Sequence, residues 1–120
     1  MSNEKLPDFS LAYAWEKSYL SVRGMATGVA SLQARVGDAF TSSLCLLNRE
    51  NVTPDIFRRV GEVKRRLTCI SAKAGEGDVA ATLAKMSNEE AISIAEEIVD
   101  IFDSIAKTYG RQKAARQRKS

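Results

Sequence analysis

The apolar residues between Ser87 and Tyr109 recur with the spacing of an amphipathic helix. Glu90 follows Ser87 by three residues, which is the pattern of a capping box, and Gly110 follows the last apolar residue as a helix stop. We therefore predict a helix of about six turns. Its predicted core face comprises Ala91, Ile94, Ala95, Ile98, Ile101, Phe102, Ile105 and Tyr109.

A further group of apolar residues widens this face well beyond the usual stripe. The group consists of Ile92, Val99 and Ala106. A face this wide needs cover from two sides, which either the other helices of the chain or a second copy supplies. We therefore predict Ile92, Val99 and Ala106 as a candidate oligomer interface, with the core of a single chain as the alternative.

The N-terminal half of the chain shows the same helical periodicity. A first helix is expected to about Arg23, with the apolar face Leu11, Trp15, Tyr19, Val22 and Ala26. We place Trp15 and Tyr19 in the core, with a partner or ligand surface as the alternative. The segment 24–31, GMATGVAS, is either a break or a kink in one long helix. We favour the break, because Ser31 is suited to cap a second helix through about Leu47.

Residues 53–55 predict the start of a further helix. Thr53 can cap its first N–H groups, Pro54 is suited to its first position, and Asp55 is suited to its first turn. This helix is expected to run to about Lys73, where AGEGD (74–78) breaks it before a short helix, VAATLAKM. The predicted fold is all-α, an antiparallel up-and-down bundle of four main helices plus one short helix. Residues 1–110 form a single domain, and 111–120 form a flexible basic tail.

Charge is unevenly distributed along the chain. The net charge is +3, but the last ten residues, RQKAARQRKS, hold five basic side chains and no acidic one. A basic tail of this kind is usually solvated and mobile, and sometimes contacts phosphate. The predicted helix 54–73 carries a second concentration of basic residues. The candidate residues for binding nucleic acid or an acidic partner are Arg58, Arg59, Arg65, Arg66, Arg111, Lys113, Arg116, Arg118 and Lys119.

Internal pairing is the rival explanation for the basic residues of helix 54–73. That segment carries six basic and two acidic residues, whereas 88–109 carries one basic and six acidic residues, so adjacent packing would set +4 beside −5. The heptad pattern places Arg58 and Arg65 on the far side of the helix and Arg59 and Arg66 on its shoulder. The two shoulder arginines are therefore the ones nearest to a neighbouring helix.

Candidate catalytic chemistry is scarce in this sequence. The chain has no histidine, which excludes the usual triads and most zinc or iron sites. Cys45 and Cys69 fall within predicted helices without a CxxC pair, so we expect reduced, partly buried thiols. A weak carboxylate or magnesium site remains open at Glu96, Glu97 and Asp100. A weak phosphate site remains open at Thr27, Gly28 and Ser31, near Arg23 and Arg35.

Location and function follow as expectations from these patterns. The longest uncharged run, Gly24–Ala34, is too short to span a bilayer, and the N-terminus lacks a signal-peptide pattern, so we expect a cytoplasmic protein without a membrane contact. The leading hypothesis is a non-enzymatic binding or adaptor protein, without a cofactor, that self-associates and presents a helical surface to a macromolecular partner. The alternatives are association with nucleic acid without sequence preference and, more remotely, a magnesium-dependent enzyme.

Overall fold

The computed structural model describes residues 6–72 and 77–118, and within them the secondary structure is entirely helical. The elements are α1 (Asp8–Thr27), α2 (Leu32–Ser42), a 3-10 turn (Leu44–Leu46), α3 (Pro54–Leu67), α4 (Asp78–Lys85) and α5 (Asn88–Arg118). The predicted all-α fold, with four main helices and one short one, is confirmed. The up-and-down order of the whole bundle stays a prediction.

The predicted helix starts are confirmed by their side-chain caps. The hydroxyl of Ser31 accepts from the backbone N–H of Ala34 at 3.1 Å, and Thr53 caps α3 in the same way. The hydroxyl of Ser87 accepts from the N–H of Glu90 at 3.0 Å. Each cap satisfies one of the N–H groups that a helix start leaves without a partner. The carboxylate of Glu90, expected to complete a capping box, accepts instead from Arg66.

The segment 24–31 separates two helices, as predicted, but the break lies later than expected. Helix α1 includes Gly24 and ends at Thr27, and the N–H of Gly28 donates to the carbonyl of Gly24 at 3.1 Å. A Cβ atom on Gly28 would lie 2.9 Å from that carbonyl oxygen and equally close to the side chain of Arg35. The close approach of the chain to itself at the end of α1 therefore requires glycine at position 28.

Helix α3 ends earlier than the sequence predicts. It stops at Leu67 rather than near Lys73. Lys73 and Ala74 themselves lie outside the described residues. After the helix, the N–H of Ile70 donates to the hydroxyl of Thr82 in α4 at 3.0 Å, and the N–H of Ala72 donates to Asp78 at 2.8 Å. Side chains of α4 thus satisfy the backbone where the helix would otherwise have continued.

Helix α5 continues through Gly110, so the predicted stop at this residue is wrong. The helix reaches Arg118, and Gln112 donates to the backbone carbonyl of Leu6 at 2.7 Å. A single helical glycine costs only about 1 kcal/mol, which the good helix formers after it offset. Residues 111–118 therefore belong to α5. The mobility predicted for 111–120 stays a prediction, and Lys119 lies outside the described residues.

The core is centred on α5, whose buried residues follow the predicted face. Ile94, Ile98 and Ile101 are fully buried, and Ile105 nearly so. They pack in one cluster with residues of α1, α2, the 3-10 turn and α3, among them Ala14, Val36, Phe40, Leu44, Val60 and Val63. Helices α1 and α3 both run antiparallel to α5. Near the start of α1, Leu6 lies beside Gln112, and further along Trp15 lies beside Phe102. In α3, Arg59 contacts Glu97 and the later Arg66 contacts the earlier Glu90.

The buried face of α1 agrees only in part with the predicted one, since Leu11 is buried and Trp15 and Val22 pack against the core as predicted. Its most buried residues include Ala14, Ser18 and Ser21, whereas Tyr19 and Ala26 are exposed. The hydroxyl of Ser18 donates to the carbonyl of Ala14 at 2.8 Å, and that of Ser21 donates to Ala39 in α2 at 3.1 Å. Small side chains let α1 approach its neighbours closely, and these bonds satisfy the buried hydroxyls. The larger aromatic residues are displaced towards the edge of the helix contact.

Both cysteines lie outside the α-helices, contrary to prediction. Cys45 is in the 3-10 turn and Cys69 follows the end of α3. Both are free thiols with exposed side chains, so the expectation of partial burial is wrong. Among the described helices, none is both long enough and apolar enough to cross a lipid bilayer.

Candidate interaction surface

The two shoulder arginines of α3 bind carboxylates of α5. The guanidinium of Arg66 donates to both carboxylate oxygens of Glu90 at 3.0 Å and to the hydroxyl of Ser93 at 2.8 Å. The guanidinium of Arg59 donates to Glu97 at 3.0 Å and to the hydroxyl of Ser104 at 3.1 Å. The paired geometry of these contacts is the strong form of a charged hydrogen bond. They fix the rotation of α3 against α5.

These contacts also shift the pKa values of three of the paired groups. The hydrogen bond from Arg66 lowers the pKa of Glu90, and desolvation by partial burial opposes that shift. The hydrogen bond to Glu90 in turn raises the pKa of Arg66, and the bond to Glu97 raises the pKa of Arg59. Arg66 and Glu90 are thus both charged at neutral pH. Since the side chains of both pairs are partly exposed, each pair contributes on the order of 1 kcal/mol or less.

The two far-side arginines pair within α3 itself. Arg58 contacts Asp55 and Arg65 contacts Glu62, one turn earlier in the helix in each case. All four side chains are well exposed. The pairing with segment 88–109 considered from the sequence therefore occurs at Arg59 and Arg66, whereas Arg58 and Arg65 pair within their own helix. Arg58, Arg59, Arg65 and Arg66 do not form a continuous band of uncompensated positive charge.

The apolar residues predicted for an interface lie on the outer side of α5. We call Ile92, Val99 and Ala106 the α5 strip. The side chains of Ile92 and Val99 are 50% and 43% exposed, and Ala106 is partly buried. Leu32 of α2 borders the strip next to Ile92 and Val99, so the strip contacts its own chain along one edge. Within residues 6–72 and 77–118, no other element covers the exposed parts of Ile92 and Val99.

An aromatic cluster on α1 and α5 adjoins the α5 strip. The rings of Trp15 and Tyr19 stack with their centroids 5.1 Å apart and their planes within 3°. Phe102 lies against both, with centroid distances of 6.1 Å to Trp15 and 6.3 Å to Tyr19. Trp15 packs against the core, as predicted, whereas Tyr19 stays exposed. Tyr19 was predicted for the core, so its position at the surface is a correction.

Charge changes sign halfway along α5. Residues 88–103 contain only acidic charges, namely Glu89, Glu90, Glu96, Glu97, Asp100 and Asp103. Residues 104–118 contain only basic charges, namely Lys107, Arg111, Lys113, Arg116 and Arg118. The two halves meet at Asp103 and Lys107, which form an ion pair of 2.9 Å. Because α5 is one continuous helix, its N-terminal half is negative and its C-terminal half positive.

The carboxylates considered for a metal site do not converge. Glu97 binds Arg59, whereas Glu96 and Asp100 border the groove beside Ile92 and Val99. Nowhere in residues 6–72 and 77–118 do three acidic or cysteine side chains form a group suited to a metal ion. Glu96, Glu97 and Asp100, which the sequence left open as a weak site, therefore do not form such a group.

The residues considered for a phosphate site serve local structure instead. Ser31 caps α2, and the hydroxyl of Thr27 donates to the carbonyl of Arg23 at 2.8 Å. The guanidinium of Arg35 donates to the carbonyls of Met25 at 2.7 Å and Ala30 at 2.9 Å. These bonds close the turn between α1 and α2 around Gly28. The hydroxyl of Thr27, the guanidinium of Arg35 and the N–H of Gly28 thus all donate to backbone carbonyls.

A separate set of exposed apolar residues was not predicted from the sequence. Phe9, Tyr13 and Leu20 are exposed apolar residues on α1, outside its core contact. Their spacing of four and then seven residues is helical, so the sequence does contain a signal for this set.

Comparison of the chain with family models, with curated proteins and with solved structures found no match.

Proposed function

We propose that the chain is a non-enzymatic helical binding protein of the cytoplasm, which self-associates through the α5 strip and presents a helical surface to a macromolecular partner. The observation that supports this proposal most directly is the two-sided apolar character of α5. One face is fully buried at Ile94, Ile98 and Ile101, and yet Ile92 and Val99 on the outer side are half exposed. Exposed apolar residues that adjoin one another mark contact surfaces more often than scattered ones do.

The dimensions of the face fit a helix contact. From Ile92 to Tyr109 the helix rises about 26 Å, the length of nearly five turns. The aromatic cluster widens the face towards α1, and stacked aromatic rings with one exposed side are frequent anchors of interfaces. A second helix laid along this path would cover the α5 strip and the exposed edge of Tyr19 together.

Substitution of Val99 by glutamate is expected to abolish self-association. A carboxylate buried there without a partner costs about 2–3 kcal/mol or more, which weakens association by roughly 100-fold. The control is Val29→Glu, the same change at a fully exposed valine in the turn between α1 and α2. Sedimentation at tens of micromolar should give a multiple of 13.1 kDa for the native and Val29→Glu chains, and 13.1 kDa for Val99→Glu.

The same experiment contains the result that would defeat the proposal. A native chain that sediments at 13.1 kDa at these concentrations does not self-associate. A Val99→Glu chain that keeps the native assembly shows that the α5 strip is not the contact. Circular dichroism of each variant establishes that the substitution has not unfolded the helices.

A second candidate function is contact with nucleic acid through the basic half of α5. It is favoured by the absence of acidic residues after Asp103, whereas each α3 arginine already faces a carboxylate. Arg111 and Arg118 are both exposed and seven residues apart, which places them on one side of the helix. Phosphates are the groups that such a surface would contact, without reading the bases.

If this candidate is right, affinity for a labelled DNA duplex should depend steeply on salt. About four phosphate contacts predict a loss on the order of 100-fold between 50 and 200 mM salt. Replacing Arg111 and Arg118 with glutamine should weaken binding, while the same changes at Arg58 and Arg65 should leave it nearly unaltered. Equal affinity at both salt concentrations, measured by fluorescence anisotropy, would exclude this candidate.

A further inference from the structure

We infer that the partner on the α5 strip is a second copy of this chain whose α5 runs antiparallel to the first. The inference rests on the proposed self-association and adds the orientation of the two helices. Two independent features of α5 carry it. One is the spacing of its exposed apolar residues, and the other is the order of its charges.

The spacing is that of a two-helix contact. Ile92, Val99 and Ala106 follow one another at intervals of seven residues. A parallel series, Ala95, Phe102 and Tyr109, has the same interval and is shifted by three residues. Two such series with this offset are the a and d positions of a coiled coil. The fully buried residues Ile94, Ile98 and Ile101 belong to neither series. Ala95 packs at the margin of the core and Phe102 lies against Trp15 and Tyr19, so the second series follows the edge of the core while Ile92 and Val99 lie outside it.

The order of the charges decides the orientation. In a parallel pair, Glu96 and Asp100 would lie beside the same residues of the second copy, and Lys107 and Arg111 would likewise face themselves. In an antiparallel pair, the acidic half of each helix lies along the basic half of the other. Each such contact at an interface edge is modest, but several like-charge contacts together exclude the wrong orientation. The apolar seam thus supplies affinity and the charges supply direction.

One alignment satisfies both features. If the two-fold axis passes between residues 103 and 104, Val99 lies within one residue, about 1.5 Å, of the level of Tyr109 of the second copy, and Phe102 lies equally near the level of Ala106. At the same alignment Glu96 lies level with Arg111, and Asp100 level with Lys107. The arrangement uses the same surface of both copies and therefore closes as a dimer.

Distances between spin labels test the orientation. The exposed native thiols are first removed by Cys45→Ser and Cys69→Ser, and single cysteines are then introduced by Glu89→Cys, Asp103→Cys or Gln117→Cys, all at exposed positions. In the antiparallel dimer the labels at 89 and at 117 should lie about 40 Å from their counterparts, because each is about 14 residues from the axis. Labels at 103 should lie within about 20 Å of each other.

Each alternative result has its own meaning. Short distances at all three positions show a parallel dimer, which overturns the orientation and leaves self-association intact. Long distances at all three show a contact away from α5, which overturns the inference as well. A mass of 13.1 kDa for the unlabelled native chain removes the proposed self-association and the inference with it. The mass of each labelled variant, compared with that of the native chain, verifies that labelling has not disturbed the assembly.

Discussion

Ile98→Ala is expected to lower the free energy of unfolding by about 2–5 kcal/mol, whereas Ile92→Ala on the same helix should lower it by less than about 1 kcal/mol. Ile98 is fully buried within the core cluster, so its truncation removes apolar contacts and leaves a cavity. Ile92 is 50% exposed, and water fills the space that its side chain vacates. The two substitutions change the same atoms in the same helix and differ only in environment.

Urea unfolding at submicromolar concentration measures this difference. Low concentration keeps the chain dissociated, so that the contribution of Ile92 to self-association does not enter the result. Unchanged dependence of the unfolding free energy on urea would show that both variants unfold the same amount of surface. Equal losses for Ile98→Ala and Ile92→Ala would contradict the burial of α5, and with it the existence of a separate outer seam.

The start and core face of α5 could be predicted because several local signals agree. A capping serine, acidic residues in the first turn and a long series of apolar residues at helical spacing all indicate the same helix. Agreement between such local signals is what allows a helix to be predicted from the sequence. The pairing of α3 with α5 was also foreseeable from opposite net charges. The heptad pattern placed Arg59 and Arg66 on the shoulder of α3, and these two are the arginines that reach Glu97 and Glu90.

The face of α1 could not be predicted from hydrophobicity alone. The two buried serines, Ser18 and Ser21, are polar by composition, and only their bonds to carbonyls inside the fold make burial acceptable. A prediction from large apolar residues therefore places both Trp15 and Tyr19 in the core. In the structure Tyr19 is exposed and Trp15 is only partly buried, because the tightest part of the α1 contact needs small side chains and the rings lie at its margin.

The exposure of the α5 strip follows from that same packing. The hydroxyl of Ser21 bonds α1 to Ala39 of α2, and Trp15 and Tyr19 of α1 lie against Phe102 of α5, whereas Val99 stays 43% exposed. The aromatic rings at the edge of α1 then continue the apolar surface of α5. Packing within the chain thus accounts for both the burial of one face of α5 and the exposure of the other.

Gly110→Pro and Gly110→Ala are expected to change stability in opposite directions. Proline within a helix removes a backbone hydrogen bond and clashes with the carbonyl four residues earlier, at a cost of up to about 3 kcal/mol. Nothing lies within 4 Å of a Cβ atom at this position, so alanine fits without strain and should stabilise by about 0.5–1 kcal/mol. If α5 stopped at Gly110 in the left-handed conformation, alanine would be strained there and would destabilise the chain instead.

Helicity and thermal unfolding together separate these two cases. With Gly110→Pro, residues 111–118 should lose their helical signal in circular dichroism, and the bond from Gln112 to Leu6 should be lost with them. Gly61→Ala is the matched control for the alanine substitution, because Gly61 is also helical and also has open space around it. A proline variant as helical and as stable as the native chain would show that α5 ends before Arg111. The basic half of α5 would then lack the rigid helix that both its pairing with a second copy and its contact with phosphates require.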